Sequence, residues 1–208
     1  MRVLVGCEES QAVTAAFRAA GHEAYSCDVS ECSGGHPEWH LQKDVFEAIH
    51  ADGPWDLLIA FPPCTHLSAA GARYWAEKQA DGRQQEAVDF VRRLWGAPVP
   101  RVAIENPTGW LNTHWRKPAQ ILHPYFFGDP WTKRLCLWLR GLPLLEPTDV
   151  VEPQWAWSDN SWRGGVRKDG TRPKNRLPCM PASRSSRHRS KTAPGVARAM
   201  AAQWTDCD

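Results

Sequence analysis

Apolar and polar positions fall in blocks along the chain that predict short buried strands separated by helices. Arg2–Gly6 (RVLVG) is the kind of brief apolar run that a buried strand shows. Ser10 is placed to cap a helix through Phe17 to Ala20, with Gly21 as its stop. Ala24–Cys27 predicts a second strand ending on Asp28, and Asp44–His50 a short helix. Trp55–Phe61 (WDLLIAF) is the clearest strand, and it stops at Pro62-Pro63. Over Gln84–Trp95, the residues Val88, Val91, Leu94 and Trp95 recur on one helical face. Arg101–Glu105 (RVAIE) and Leu135–Leu139 (LCLWL) predict two further strands. Strands and helices alternating in this way predict an α/β fold with a Rossmann-like, doubly wound, mostly parallel sheet.

Periodicity disappears from Gly141 to Ser190, where Pro, Gly, Arg and Ser dominate. It returns over Pro194–Trp204 as an Ala-rich helix with Pro194 near its start. No internal repeat is visible. The expected organisation is a core over 1–140, a loop-rich insertion over 141–190, and a closing helix over 191–208 that returns to the core.

A length of 208 residues suits one domain able to bury its own core. Hydrophobic content of 42% and charged content of 23% exclude a wholly disordered chain. No apolar run approaches the roughly 20 residues that span a bilayer. MRVLVG reads as the start of a strand rather than a signal peptide, and seven cysteines fit reduced thiols, so a cytoplasmic protein is expected. The formal charge of +2 hides a split. Residues 151–191 carry ten Lys/Arg against three Asp/Glu, or +7, and the remainder carries −5. Three of the twelve tryptophans, Trp155, Trp157 and Trp162, lie in that basic stretch.

In a doubly wound sheet, ligands bind outside the carboxyl ends of the strands. The polar residues there are Cys7-Glu8-Glu9, Asp28, Pro62-Pro63-Cys64 and Glu105-Asn106-Pro107. Two prolines fix the backbone before Cys64, which presents a thiol as a nucleophile requires. By position alone, a small residue buried in a turn fits equally well. A carboxylate at Glu105 would be partly desolvated, and so suited to carry a proton. A capping or ion-paired Glu fits that place too. Asp28, after a second strand, stands where a ribose binder is expected. Cys27, Cys32, His36 and His40 have spacing within reach of zinc, but a loop covering the crevice, with Trp39 beside a bound base, is the preferred reading.

Taken together, PPCTHLSAAG (Pro62–Gly71) resembles the nucleophile loop of the cytosine-C5 DNA methyltransferases. ENP (Glu105–Pro107) resembles their ENV motif, one helix and one strand later. VLVGCEES, KDV (Lys43–Val45), TKRLCLWL (Thr132–Leu139) and KTAPGVARAM (Lys191–Met200) follow in the family's order, nearest to its short phage and prophage members. The resemblance implies S-adenosyl-L-methionine as cofactor and cytosine-containing DNA as partner. It implies Cys64 as the nucleophile, Glu105 as the acid that recognises the base, and Arg134 beside the cytosine. For the methyl donor it implies Asp28 at the ribose and Asp44 at the adenine amino group, with Gly6, Cys7, Glu8, Val45 and Pro63 around them. Ser68 and Asn106 fall on the substrate side.

The chain departs from the family at several points. The usual Phe-x-Gly-x-Gly donor loop is replaced by Gly6–Gln11 (GCEESQ), Thr65 stands for Gln, Pro107 for Val, and one arginine of the TKRLC strand is absent, with Lys133 placed to compensate beside Arg134. The family's target-recognition region corresponds here to about fifty residues. Arg163, Arg167, Lys168, Arg172, Arg187 and Arg189 in it are expected to meet DNA phosphates. So small a region implies a short recognition sequence of about two to four bases, or relaxed specificity. Two alternatives keep the fold: a family member that binds DNA without chemistry, and an enzyme acting on single strands or free pyrimidine nucleotides.

Overall fold

The computed structural model describes residues 1–157, 177–178 and 191–205. Its strands are β1 (Arg2–Gly6), β2 (Glu23–Asp28), β3 (His40–Gln42), β4 (Leu57–Ala60), β5 (Arg101–Asn106), β6 (Gln120–Leu122), β7 (Trp131–Thr132), β8 (Leu135–Arg140) and β9 (Trp155–Ala156). Its α-helices are α1 (Ala12–Ala19), α2 (Val45–Ala51), α3 (Trp75–Ala80), α4 (Arg83–Trp95), α5 (Trp110–His114) and α6 (Pro194–Gln203). Seven strands form one sheet in the order β3-β2-β1-β4-β5-β8-β6. β1 to β5 run parallel, and β8 runs antiparallel to both β5 and β6. β7 and β9 form a separate parallel pair, with Trp131 opposite Trp155. The fold is thus α/β and doubly wound, as expected, with its strand order reversing between β1 and β4.

The apolar runs are explained by burial on both faces of the sheet. On one face Val3, Val5, Leu57, Ile59, Ala103, Leu135 and Leu137 pack with Phe17 of α1 and with Val196 and Met200 of α6. On the other face Leu4, Leu58, Val102, Ile104, Cys136 and Trp138 pack with Phe46 and Ile49 of α2 and with Val88, Val91 and Leu94 of α4. The alternation within each strand decides which layer a residue joins.

The start of α1 differs from expectation. Ser10 makes no capping bond, and Gln11 at the cap position is left-handed, with φ of 57°. Glu8 takes over the capping. Its carboxylate accepts from the backbone N–H of Val13 (2.7 Å) and Thr14 (3.2 Å) and from the Thr14 hydroxyl (2.7 Å). A tight loop with Cys7 also left-handed, at φ 59°, swings this side chain under the helix and away from solvent. Gly21, at φ 84°, supplies the expected stop. The helix expected over Asp44–His50 is α2, with Asp44 as its cap, its Oδ1 accepting from Phe46 N and Glu47 N. No helix among the described residues is long and apolar enough to cross a membrane.

Candidate active site

The loops leaving β4 and β5 are fastened to each other at the carboxyl edge of the sheet. The Asn106 side-chain amide donates to the Pro62 carbonyl at 2.9 Å. Farther out, Ala69 N donates to Thr108 O (2.9 Å), and Trp110 N to Leu67 O (2.7 Å). Gly109 is required for so close an approach, because a Cβ there would stand 2.0 Å from the Leu67 carbonyl oxygen.

The carbonyls of the Cys64 turn are held as well. Leu67 N (3.0 Å) and Ser68 N (2.9 Å) both donate to Cys64 O, closing a tight turn around the cysteine. The buried Lys78 of α3 donates to Thr65 O at 2.6 Å, and the buried Gln84 of α4 donates to His66 O at 3.1 Å. Cys64 itself is exposed. Its neighbours therefore anchor the turn that carries the exposed cysteine.

Glu105 lies beside this turn, on the face of the sheet covered by α1 and α6. It pairs with Leu137 across β5 and β8, and paired residues point to the same side. It lines a small cavity with Phe61, Lys133, Leu135, Thr192, Val196 and Met200. Its Oε1 is buried without a hydrogen-bond partner among the described residues. Burial pushes its carboxyl up from the usual range, with Lys133 pulling the other way.

Of the two adjacent cations Lys133 and Arg134, only Lys133 lines this cavity. Sequence reasoning favoured Arg134, which is exposed and has His123 and Cys136 as its electrostatic neighbours. The reason is alternation. Lys133 shares its side with Leu135 and Leu137, and Arg134 shares the opposite one with Cys136. Phe61 and Thr192 were also missed. An apolar strand end and a residue before a helix carry no distinctive sequence signal.

A second depression adjoins the first. Cys7, Glu8, Glu9 and Ser10 line it, together with the same Phe61 and Thr192. Asp28 and Asp44 act electrostatically on both Cys7 and Cys27, which places the two carboxylates together at the ends of β1, β2 and β3. Burial pushes the Cys7 and Cys27 thiols up to about 12, with Asp28 adding to the effect, so neither is a thiolate at neutral pH. Asp28 Oδ1 accepts from Ser30 N at 2.9 Å, and Asp44 Oδ1 is taken up by its helix cap. The second oxygen of each carboxylate makes no hydrogen bond to a described residue.

Several expected contacts are placed differently. Glu8 is 4% exposed and turned into α1, so its carboxylate serves that helix. The Val45 side chain is buried in the core, packed so closely over Gly6 that a Cβ on that glycine would lie 2.6 Å from it. This contact accounts for Gly6 structurally. Asn106, 1% exposed, faces Pro62 and not an outside partner, because it alternates with Glu105 along β5. Pro63 is exposed beside Cys64, and Ser68 acts through its backbone in closing the turn.

The segment after β2 folds over the Cys7–Gln11 loop, as a covering loop would. Ser33 N donates to Glu9 O at 2.7 Å, and its hydroxyl bonds the Glu9 carboxylate. The Gln11 amide donates to His36 O (2.7 Å) and accepts from His36 N (3.0 Å). Trp39 is not at the crevice. It precedes β3, stacked on His36 at 3.7 Å with Arg18 5.2 Å over its ring.

Three of the four residues with zinc-like spacing are turned to other partners. Cys27 Sγ donates to Lys43 O at 3.5 Å, and His40 bonds Ser26 Oγ (2.8 Å) and Ser30 O (2.9 Å). His36 faces Trp39 and Glu38. Cys32, the fourth, is partly exposed on the covering loop. Among the described residues, no three His, Cys, Asp or Glu side chains lie together in a way that could hold a metal. Trp162, Arg163, Arg167, Lys168, Arg172, Arg187 and Arg189 lie outside the described residues.

Neither a family model nor a curated protein matches the sequence. Two solved structures are similar in chain path. One is described as a DNA modification methyltransferase encoded within an E. coli prophage, at 14% identity and a TM-score of 0.49, covering 73% of this chain and 52% of that one. The other is the S. pombe Dnmt2 methyltransferase, at 15% identity and a TM-score of 0.47, covering 75% of this chain and 52% of that one. The chain thus spans about half the length of either.

Proposed function

We propose that the protein is an S-adenosylmethionine-dependent DNA methyltransferase acting at cytosine C5 through Cys64. One observation carries the reading. An exposed cysteine on an anchored turn stands beside the end of β5, where Glu105 is buried with its Oε1 unbonded among the described residues, at the carboxyl edge of a doubly wound sheet. The reaction needs this combination, a nucleophile for C6 and an acid for the ring nitrogen of the same base.

Cytosine C5 is a poor nucleophile. Cys64 adds as the thiolate to C6, forming the S–C6 bond. Glu105 holds its proton at N3, so the electron pair displaced from C6 makes C5 an enamine-like carbon. Burial suits Glu105 to that task by keeping its proton to higher pH than an exposed carboxyl would. C5 then takes the methyl group and gives up its proton to water or another base. The returning electron pair expels Cys64, which restores the thiolate. The target carbon is hidden in a duplex, so the base is flipped out or already single-stranded.

The methyl donor would lie along the carboxyl ends of β1, β2 and β3, against the second depression. Asp28 and Asp44 stand at those strand ends, each with one carboxylate oxygen not bonded to a described residue, and these suit ribose hydroxyls and an adenine amino group respectively. When bound, S-adenosylmethionine supplies the sulfonium methyl. Phe61 and Thr192 wall both depressions, so donor and base would sit side by side. The +7 stretch over 151–191 supplies phosphate contacts on this reading.

The test is trapping on DNA carrying 5-fluorocytosine, whose fluorine cannot leave as a proton does. With S-adenosylmethionine present, the intact protein should form a covalent adduct through Cys64, and the Cys64→Ala protein should form none. Methyl transfer by the Cys64→Ala protein at the parent rate would refute the mechanism.

A further inference from the structure

We infer that the outer rim of the Cys64 and Glu105 loops is a docking surface for unpaired DNA bases, built from Arg73, Tyr74 and the stacked His114–Trp110 pair. The inference rests on the reading of Cys64 as a nucleophile toward a base, and names the form of DNA that reaches it.

The rim is continuous with the cysteine turn. A short 3-10 helix over Ala69–Tyr74 follows that turn. It folds back on it, since a Cβ on Gly71 would lie 3.7 Å from Thr65 O. Tyr74 stands one turn of this helix beyond Gly71. The α5 segment is fastened alongside. Ser68 and Gly109 form an antiparallel bridge, and Trp110 N donates to Leu67 O at 2.7 Å. Trp75 meets the Trp110 ring edge-on, with centroids 5.2 Å apart.

Rings are held at the surface here where the core makes no use of them. Tyr74 is 45% exposed, the only aromatic among the large exposed hydrophobic side chains of the described residues. The Arg73 guanidinium lies 4.6 Å from the centre of its ring. His114 is also exposed and lies flat on Trp110, at 3.6 Å with the planes 5° apart. Rings fixed in this way lose little freedom when a base stacks on them, and every base offers a π-face. In a duplex those faces are covered by the neighbouring pairs, so the platform suits bases that are unpaired.

Charge favours the same partner. Residues 62–76 and 106–118 contain no Asp or Glu and carry Arg73, Arg116 and Lys117. The next carboxylates along the chain from Tyr74, Glu77 and Asp81, are both paired with Arg83. A phosphate backbone crossing these loops meets cations and no carboxylate of theirs to repel it.

The first test is photocrosslinking of the full-length protein to single-stranded DNA that carries 5-iodouracil beside a cytosine, with the crosslinked peptides read by mass spectrometry. Crosslinks should fall on Tyr74 or His114, and crosslinks confined to peptides bearing neither residue overturn the inference. The second is fluorescence anisotropy with the single strand and its matching duplex. Tyr74→Leu and His114→Leu should each weaken single-strand binding about fivefold or more, and duplex binding less than about twofold. Arg73→Gln should make the single-strand plot of log affinity against log salt shallower by about 0.7, as for one phosphate contact. Single-strand affinities within about twofold of the parent in both folded ring variants overturn the inference, and so do equal losses on the two DNAs. Should the variants not fold, the crosslinks on the parent decide alone. Rim crosslinks without 5-fluorocytosine trapping would leave the surface standing and remove the methyltransferase reading. Trapping without rim crosslinks would do the reverse.

Discussion

The side-chain amide of Asn106 donates to the main-chain carbonyl of Pro62 across 2.9 Å, and this buried bond joins the loop after β5 to the loop carrying Cys64. Asn106 and Glu105 are neighbours on one strand and point to opposite faces. One clamps the cysteine loop while the other enters the cavity. A single dipeptide therefore supplies both the bond to the Cys64 loop and the carboxyl that enters the cavity.

Replacing Asn106 with Leu should leave the Pro62 carbonyl without its partner. The expected loss is about 1–3 kcal/mol in urea unfolding. Trapping on 5-fluorocytosine DNA should fall further than that of a surface variant of equal stability, because the Cys64 turn loses its anchor. Equal trapping in the two proteins would show that the clamp does not position the thiol.

Glu8 and Ser10 should behave oppositely. Glu8→Ala removes three hydrogen bonds at the start of α1 and should cost about 1–2 kcal/mol. Ser10→Ala removes no capping bond and should stay within about 0.5 kcal/mol of the parent. Thermal unfolding of the two variants checks the assignment, and the reverse order would restore Ser10 as the cap.

Glu105 should make stability pH-dependent with a definite sign. Its folded-state proton affinity is raised by burial, the opposing pull of Lys133 included. The folded protein thus binds this proton more tightly than the unfolded chain. The resulting stabilisation is fully present below the ordinary glutamate range and is lost as pH rises through the raised value. Glu105→Gln cannot ionise, so its melting temperature relative to the parent should increase from about pH 4 toward neutrality. A difference that stays flat across this range would mean that the carboxyl is not perturbed.

DNA binding should be carried in large part by the basic stretch. Replacing Arg187 and Arg189 together with Ala should make the plot of log affinity against log salt shallower by about 2, as expected for two lost phosphate contacts. Fluorescence anisotropy on a labelled duplex gives the slope. An unchanged slope would place the phosphate contacts elsewhere.

The hydrophobic blocks of the chain determined the doubly wound sheet by themselves. A strand buried on both faces must be apolar throughout, and WDLLIAF and RVAIE satisfy that locally. The resemblance carried by PPC before ENP pointed to Cys64 and Glu105, each near the end of such a run, although two helices, α3 and α4, and not one separate them. Which side a residue faces was left to tertiary structure. The antiparallel register of β8 against β5 brought Lys133, rather than the more conspicuous Arg134, into the cavity with Glu105. Docking of α6 added Thr192, Val196 and Met200 as its outer wall, across a sequence distance that no local pattern spans. The left-handed turn at Cys7 gave the α1 cap to Glu8 instead of Ser10. Local periodicity fixes which segments are buried, but facing, register and long-range docking depend on energies summed over the whole packed sheet.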